Sequence, residues 1–204
     1  MPRPAKRSLK RPIQPLTSGE VAALMRQCST TAPTGIRNRA LITVMYRGAL
    51  RIDEALSLRP ADVNPASGAL RVLHGKGDES RTAWIDDGAM ALVQRWMDVR
   101  GRLGHRHGPL FCTLAGGPLS DRYVRTMLHR IAGKAGIVKR VHPHGLRHSW
   151  AHDRAMEGVP SVVIQAQLGH EHLSTTDVYL RDIAPADVIT ALRGTVAPWN
   201  PEEL

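Results

Sequence analysis

The chain has 204 residues, of which 42% are hydrophobic and 23% are charged, as in one folded domain of ordinary size. This composition excludes a disordered or collagen-like chain. Lysine and arginine number 28 against 18 acidic residues, giving a formal net charge of +10. Such an excess favours a polyanionic partner, with nucleic acid ahead of an acidic membrane surface.

The apolar runs and the cysteine content of the sequence indicate where in the cell the protein is expected. The longest mainly apolar runs, such as Ala40–Met45, are far shorter than the ~20 residues of a spanning helix. No apolar segment follows the basic N-terminus, as a secretory signal would require. The two cysteines, Cys28 and Cys112, are too few for a disulfide framework or a cysteine-based zinc site. We therefore expect a cytoplasmic protein with free thiols and no membrane partner.

The first 15 residues are expected to form a flexible basic arm. Residues 1–12 contain five cations, three prolines and no acidic residue, so they cannot bury apolar area. The composition fits a solvated tail and a phosphate-gripping arm equally well. In the second case, DNA phosphates would be bound by four residues of the arm: Lys6, Arg7, Lys10 and Arg11.

Helices are predicted for the next part of the chain. Thr17 and Glu20 have the spacing of a capping box, and apolar residues then recur at helical intervals. Two more helices are predicted, over 35–49 and 52–58, the second ending before Pro60.

A hairpin and a series of helices complete the predicted fold. The β-rich segments 69–74 and 81–85 are separated by turn-forming residues, with Lys76 near the tip of the turn. The remaining chain is predicted to be helical over 88–100, 120–134, 143–157, 160–168, 174–181 and 185–193. The predicted fold class is therefore mainly α with a small antiparallel sheet.

The common nucleotide-binding motifs are missing, which disfavours ATP and NAD sites. The Gly75–Gly77 segment lacks the spacing of a phosphate loop, and no glycine fingerprint links a strand to a helix. The second half of the chain instead carries a set of cations. His144 and Arg147 lie three residues apart on one helical face, where they can converge on a phosphate. A solvated basic helix face explains that spacing equally simply.

One of the predicted helices ends in a glycine and a histidine. Gly169 suits the position just after a helix C-terminus and puts His170 directly beyond it. Carbonyl dipoles there favour the imidazolium form, which donates hydrogen bonds to phosphate oxygens. Nine residues later, Tyr179 follows a polar segment, whereas Tyr46 and Tyr123 lie in predicted helices and are assigned to packing. Tyr179 is therefore the preferred nucleophile.

Together these residues resemble, in chain order, the catalytic constellation of the tyrosine recombinase (phage integrase) family: Arg51, Lys76, His144, Arg147, His170 and Tyr179. The resemblance runs from about residue 16 to 182 and implies the fold of a DNA breaking-rejoining enzyme. It places a catalytic domain at 16–197, with a C-terminal exchange helix at about 185–193 and a tail at 198–204.

The resemblance also implies roles for these residues. Arg51, Arg147 and His170 would stabilise the phosphate, His144 would act as base, Lys76 would protonate the leaving 5′ oxygen and Tyr179 would attack. Glu54, three residues after Arg51, would orient that guanidinium. The implied enzyme is a site-specific recombinase acting on double-stranded DNA through a 3′-phosphotyrosine, without ATP, metal or other cofactor. Four protomers would assemble on two DNA sites from a free monomer or weak dimer.

Two alternatives remain open from the sequence. His144, His148 and His152 are spaced i, i+4, i+8 and could present imidazoles to zinc in a metal-dependent nuclease or hydrolase. The chain could also be a DNA-binding module without catalysis.

The main departure from the family is at the N-terminus, where only about 15 residues precede the catalytic domain. Most such recombinases carry an additional N-terminal core-binding domain, and none is expected here. Two explanations are open. The chain is an isolated catalytic domain, or it is similar to the compact recombinases that invert fimbrial promoter segments, which its length and its His-Pro-His-x-Leu-Arg-His stretch favour. We expect a bacterial nucleoid or phage-encoded protein, with integration, excision and inversion all open as outcomes.

Overall fold

The computed structural model describes residues 14–73 and 80–169. In these two ranges the chain forms seven helices: α1 Ser18–Arg26, α2 Pro33–Tyr46, α3 Ile52–Ser57, α4 Asp87–Arg102, α5 Asp121–Lys134, α6 Pro143–Met156 and α7 Ser161–Leu168. It also forms three strands: β1 Val63–Asn64, β2 Ala69–Val72 and β3 Arg81–Trp84. The mainly α class with a small sheet is confirmed.

The sheet is a three-stranded antiparallel arrangement in the order β1-β2-β3. Leu70 pairs with Val63 on one side and with Ala83 on the other. These three side chains are buried, whereas Arg71, Thr82 and Trp84 between or beside them are exposed, as expected for a sheet with one face on the core. The predicted hairpin is confirmed, while the two-residue β1 was not predicted.

Helix α2 is the centre of the core. Its side chains are buried around almost the whole circumference, and it packs against α3, α4 and α6. A helix that is buried all round needs no amphipathic stripe. It therefore holds the turn that follows its last residue in a fixed place.

That turn differs from the prediction, because α2 ends at Tyr46 and not near residue 49. Ala49 has φ 51°, in the left-handed region that side chains rarely adopt. The Leu50 N–H donates to the carbonyl of Val44 at 3.2 Å and closes the turn. Arg51, in extended conformation, then begins α3.

Several predictions fall outside the described residues: the basic arm, the tip of the hairpin, the helices over 174–181 and 185–193, and the tail. Within residues 14–73 and 80–169, no helix combines the length and the apolar character needed to cross a membrane.

Candidate active site

The carboxylate of Glu54 organises the start of α3. One of its oxygens accepts the backbone N–H of Arg51 at 2.7 Å, and the other accepts Nη1 of the same residue at 2.8 Å. The Glu54 side chain is 7% exposed and that of Arg51 48%. The predicted support of Arg51 by Glu54 is thus present in the structure, and the guanidinium is held at the surface.

Two more arginines surround the same carboxylate. Arg81 of β3 donates from Nη2 to Oε2 of Glu54 at 2.8 Å, and Nη1 of Arg147 lies 3.9 Å from that oxygen. Burial alone would raise the pKa of Glu54. The charge of Arg81 and the hydrogen bonds from Arg51 and Arg81 outweigh burial, so the pKa is lowered below its ordinary value. Glu54 is a buried anion among three cations.

Arg147 joins three segments of the fold. Its side chain is 1% exposed, and it donates from Nη1 to the carbonyl of Ala49 at 2.5 Å. From Nη2 it donates to the carbonyl of Leu168, the last residue of α7, at 2.6 Å. Arg147 therefore fixes the turn before Arg51 and the end of the helix before His170.

The first turn of α6 presents His144. His142 is the N-cap, its Nδ1 accepting the N–H of Gly145 at 3.1 Å, and Pro143 occupies the first helical position. The rings of His142 and His144 stack with centroids 6.4 Å apart. His142 thus caps the helix whose first turn carries His144.

Desolvation and neighbouring positive charges both disfavour the protonated form of these two imidazoles. Partial desolvation lowers the pKa of His144, and the charges of Arg147 and Arg51 lower it further. For His142, burial together with Arg140 and neighbouring cations lowers the pKa to about 4. A neutral His144 beside two guanidinium groups can accept a proton at neutral pH.

Gly169 ends α7 in the predicted manner. It has φ 61°, and its N–H donates to the carbonyl of Ala166 at 3.1 Å. A Cβ at this position would overlap the side chain of Arg81, so both the backbone angle and the available space favour glycine. This corner, the left-handed turn at Gly169, directly precedes His170 in the sequence.

The two described tyrosines have structural partners. Tyr46 is buried and donates to Oδ2 of Asp153 at 2.5 Å, and burial and this carboxylate raise its pKa far above the ordinary value. Its assignment to packing is confirmed. Tyr123, also assigned to packing, is 37% exposed and accepts a hydrogen bond from buried Arg37, whose guanidinium stacks on its ring. Its role is thus a surface contact with Arg37.

The structure brings four of the predicted residues into one neighbourhood: Arg51, Glu54, His144 and Arg147. The other predicted site residues lie outside the described residues: Lys6, Arg7, Lys10, Arg11, Lys76, His170 and Tyr179. Sequence reasoning missed Arg81. A signal was present, because Arg81 alternates in phase with Ala83 and Ile85, two residues on the buried side of β3.

The zinc hypothesis gains no support from α6. His144 is exposed, His148 is 2% exposed inside the fold, and His152 lies 3.9 Å from Asp153. Across residues 14–73 and 80–169, no three His, Cys, Asp or Glu side chains are grouped so that they could hold a metal ion.

Fixed guanidinium groups beside a neutral imidazole suit phosphate chemistry. A phosphodiester gains charge on its oxygens when a nucleophile attacks, and preorganised cationic donors stabilise that charge. Arg51 presents such a donor at the surface, and Arg147 places a second, buried positive charge near the same Glu54 carboxylate.

Comparison with known proteins gives a consistent result. The profile described as the phage integrase family matches residues 14–184. A tyrosine recombinase XerC of Halalkalibacterium halodurans is 35% identical over 167 residues, covering 78% of this chain and 55% of the relative. A tyrosine recombinase XerC of Xanthomonas axonopodis pv. citri is 34% identical over 180 residues, covering 87% and 58%. This chain therefore spans little more than half the length of these relatives.

Solved structures share the fold. XerA recombinase superposes with a TM-score of 0.80 at 24% identity, over 90% of this chain and 66% of that chain. XerH site-specific recombinase, solved with a palindromic difH substrate after cleavage, gives a TM-score of 0.74 at 26% identity over 90% and 54%. The catalytic domain of bacteriophage HP1 integrase gives 0.58 at 22% identity over 90% and 95%.

Proposed function

The chain belongs to the phage integrase family, and on that premise we propose that it is a site-specific DNA recombinase acting through a 3′-phosphotyrosine. The observation that carries the proposal is the placement of Arg51 and Arg147 at buried Glu54, with His144 close enough to both guanidinium groups for their charges to lower its pKa. These residues match the family in chain order. DNA as substrate would place the activity in the cytoplasm, on nucleoid or phage DNA.

The proposed reaction exchanges one phosphate ester for another. The Tyr179 hydroxyl oxygen attacks the scissile phosphorus while its proton passes to His144. The bond from phosphorus to the 5′ oxygen breaks, and Lys76 supplies the proton that this oxygen takes up. A 5′ hydroxyl from a second strand later attacks the phosphotyrosine and restores a phosphodiester. The ester energy is retained throughout, so ATP is not needed.

The arginines and His170 carry the charge stabilisation in this scheme. Arg51 and Arg147 would act on the non-bridging oxygens, where negative charge grows in the transition state. His170 would donate a further hydrogen bond from beyond the corner at Gly169. The neutral state of His144, which follows from its lowered pKa, is the state in which a base accepts the phenolic proton.

Covalent trapping tests the proposed function. The substrate is DNA nicked close to the cleavage site, so that cleavage releases a short fragment with a 5′ hydroxyl and the reverse reaction is lost. The protein should be captured on this DNA as a covalent complex in EDTA, because no step uses a metal. Tyr179→Phe should abolish capture and leave DNA binding unchanged, since only the nucleophilic oxygen is removed. Gel electrophoresis under denaturing conditions measures the captured fraction. Capture that survives in Tyr179→Phe, or that requires a divalent metal, would disprove the proposal.

The basic arm is proposed to grip phosphates next to the cleavage site. Leu16, near the start of the described residues, is bonded to α6, the helix that carries His144. Its backbone N–H donates to Ser149 Oγ at 2.7 Å. Lys139 Nζ, just before α6, donates to the Pro15 carbonyl at 2.8 Å. Pro15 and Leu16, which follow the proposed arm in the sequence, therefore contact α6 and the segment before it, and this supports the proposal.

Deletion of residues 1–12 tests this role of the arm. The deletion should weaken DNA binding and flatten its dependence on salt, by about 0.9 in the logarithmic slope for every phosphate that the arm neutralises. Fluorescence anisotropy at several salt concentrations measures the slope. A slope equal to that of the full chain would show that the arm is only a solvated tail.

Assembly on two DNA sites is proposed to use an apolar groove on the sheet side of α7. The groove has a volume of about 600 Å³ and is lined mainly by apolar residues, including Trp84, Trp150, Val159, Val162, Val163 and Ala166. Its proposed occupant is segment 185–193 of a neighbouring protomer, in which Val188, Ile189 and Leu192 can form one apolar helical face.

Truncation after residue 184 tests this assembly. The truncated chain should bind a single DNA site but fail to bring two sites together in native gels. Pairing of two sites by the truncated chain would contradict the proposed exchange of the C-terminal segment.

A further inference from the structure

Arg81 connects three elements of the candidate site. Its side chain is 16% exposed and starts from the first residue of β3. Nη2 donates to Oε2 of Glu54 on α3 at 2.8 Å, and Nη1 donates to the carbonyl of Gln167 on α7 at 2.6 Å. Its Cδ lies against Gly169, where any larger residue would collide with it.

Gln167 adds a second connection between α7 and β3. Its Oε1 accepts the backbone N–H of Trp84 at 3.0 Å, and its Nε2 donates to the Trp84 carbonyl at 2.8 Å. Nε2 also lies 3.2 Å from the carbonyl of Gly48, which it reaches as a donor. Arg81 and Trp84, the two ends of β3, are therefore both hydrogen-bonded to Gln167 of α7.

The position of β3 matters because of what precedes it. Lys76, the proposed proton donor, lies five residues before Arg81 in the segment that leads into this strand. A lysine on a hairpin reaches its target only if the strands below it are fixed, since its ammonium is a single point charge on a flexible stem.

We propose that Arg81 is a positioning residue: it braces β3 against α3 and α7 and thereby sets the Lys76-bearing hairpin at the leaving 5′ oxygen. The inference rests on the proposed function. The planar guanidinium fork of Arg81 spans two acceptors on different elements, Glu54 and Gln167, which an ammonium cannot do in the same geometry. Arg81→Lys therefore keeps the charge and removes the brace.

The same sheet offers a matched control in Arg71 of β2. Its guanidinium binds Oδ1 of Asp62, a buried carboxylate, with Nη2 at 2.9 Å and Nε at 3.2 Å. The side chain of Arg71 is 59% exposed, and these two bonds reach neither α3 nor α7. Arg71→Lys changes an arginine-carboxylate pair of the sheet without touching the brace.

The test compares two nicked DNA substrates in single-turnover cleavage. One has the ordinary 5′ bridging oxygen at the scissile phosphate, and the other has sulfur at that atom. A thiolate leaves without being protonated, because a thiol is far more acidic than an alcohol. A defect in proton delivery therefore disappears on the sulfur substrate, while a defect in the fold or in phosphate binding remains.

Arg81→Lys should cleave the oxygen substrate about 10–100-fold more slowly than the wild type, as is typical when a supporting residue is removed. It should cleave the sulfur substrate within about threefold of the wild-type rate, and Lys76→Ala should show the same rescue. Arg71→Lys should stay within about threefold on both. The ratio of the two rates in one preparation is independent of the folded fraction, so partial unfolding of Arg81→Lys does not obscure the result.

An equal loss on both substrates would overturn the inference, since Arg81 would then act on the fold or on phosphate binding. Gln167→Ala provides a second variant, because it removes the bonds to Trp84 and should show a smaller defect with the same rescue. The proposed function fails separately, if the wild type forms no covalent complex with either substrate.

Discussion

Two buried carboxylates, Glu54 and Asp62, flank the same small sheet and are built alike. Each accepts the backbone N–H of the residue three positions earlier, at 2.7 Å for Glu54 and 2.9 Å for Asp62. Each also binds a guanidinium from the sheet, that of Arg81 in one case and that of Arg71 in the other. Local sequence therefore produces the same capping arrangement twice.

The difference lies in the number of cations. Around Glu54, Arg51 and Arg147 join Arg81, so three guanidinium groups surround one carboxylate. Among the described residues, Asp62 has one guanidinium partner, Arg71, whose side chain is largely in water. An ion pair alone is a weak sign of function, whereas a local excess of fixed positive charge is a place for an anion. The comparison can be tested by changing matched residues on its two sides.

The largest expected effect follows from neutralising each carboxylate. Glu54→Gln leaves buried arginines without their anion and should lower the free energy of unfolding by about 3–5 kcal/mol, as for other broken buried pairs. Asp62→Asn returns Arg71 to solvent and should cost about 1–3 kcal/mol, the range for an impaired buried hydrogen bond. Urea unfolding at pH 7 measures both. Equal losses would show that the extra arginines do not depend on Glu54.

Acid provides an internal control for the Glu54 effect. The folded-state pKa of Glu54 is lowered, so its contribution to stability is fully present above its unfolded pKa of about 4.3 and is lost as pH falls through the folded-state pKa. The stability difference between the wild type and Glu54→Gln should therefore shrink in strong acid. A difference that stays constant would point to impaired packing and not to charge.

A second contrast is expected at two glycines with left-handed backbone angles. Gly169 has φ 61° and Gly158 has φ 78°, so alanine at either costs about 1–2 kcal/mol in backbone strain. Only at Gly169 would the new Cβ meet Arg81; there is open space at Gly158. Gly169→Ala should cost roughly 1.5–3 kcal/mol more, because a hydrogen bond from a charged group is displaced.

Thermal unfolding measures the stability of the two glycine variants, and DNA cleavage measures their activity. Gly158→Ala should retain cleavage once its folded fraction is taken into account, whereas Gly169→Ala should lose it along with the hydrogen bonds of Arg81. Similar stability and similar activity in both variants would mean that Arg81 can move aside freely and that the corner before His170 is not a fixed part of the site.

The parts of the fold that depend on residues close together in the sequence were predictable. The Thr17 capping box is present, and α5 and α6 begin at Asp121 and Pro143, close to the predicted starts at 120 and 143. The end of α2 was not predictable, because Ala49 takes a left-handed backbone angle that alanine disfavours. Arg147 binds the Ala49 carbonyl from another helix, and such tertiary support has no local signal.

The candidate site shows the same division. Arg51, Glu54 and Arg147 were recognisable by motif and spacing, and the structure brings them together. Arg81 was missed because its partners, Glu54 and Gln167, lie on elements far away in the chain. Its strand phase marked it as inward-facing, but a single sequence does not identify the acid that an inward-facing arginine will meet.

The smallest expected effect concerns the titration of His144. Partial desolvation lowers its pKa, and the charges of Arg147 and Arg51 lower it further. The wild-type midpoint should therefore lie below the ordinary value of about 6.5. Arg51→Gln should move it upward, because a nearby positive charge that opposes protonation is removed. NMR titration of histidine-labelled protein measures the midpoint without relying on activity.

Arg71→Gln is the matched control, since it removes an arginine of the same sheet that is not among the charges acting on His144. Its midpoint should equal that of the wild type. The lowered pKa keeps His144 neutral at pH values where an ordinary imidazole is protonated, so cleavage should persist below pH about 6.5 before it declines. If both substitutions shift the midpoint equally, the effect comes from net charge and not from a local cluster, and the contrast between the Glu54 and Asp62 surroundings loses its electrostatic basis.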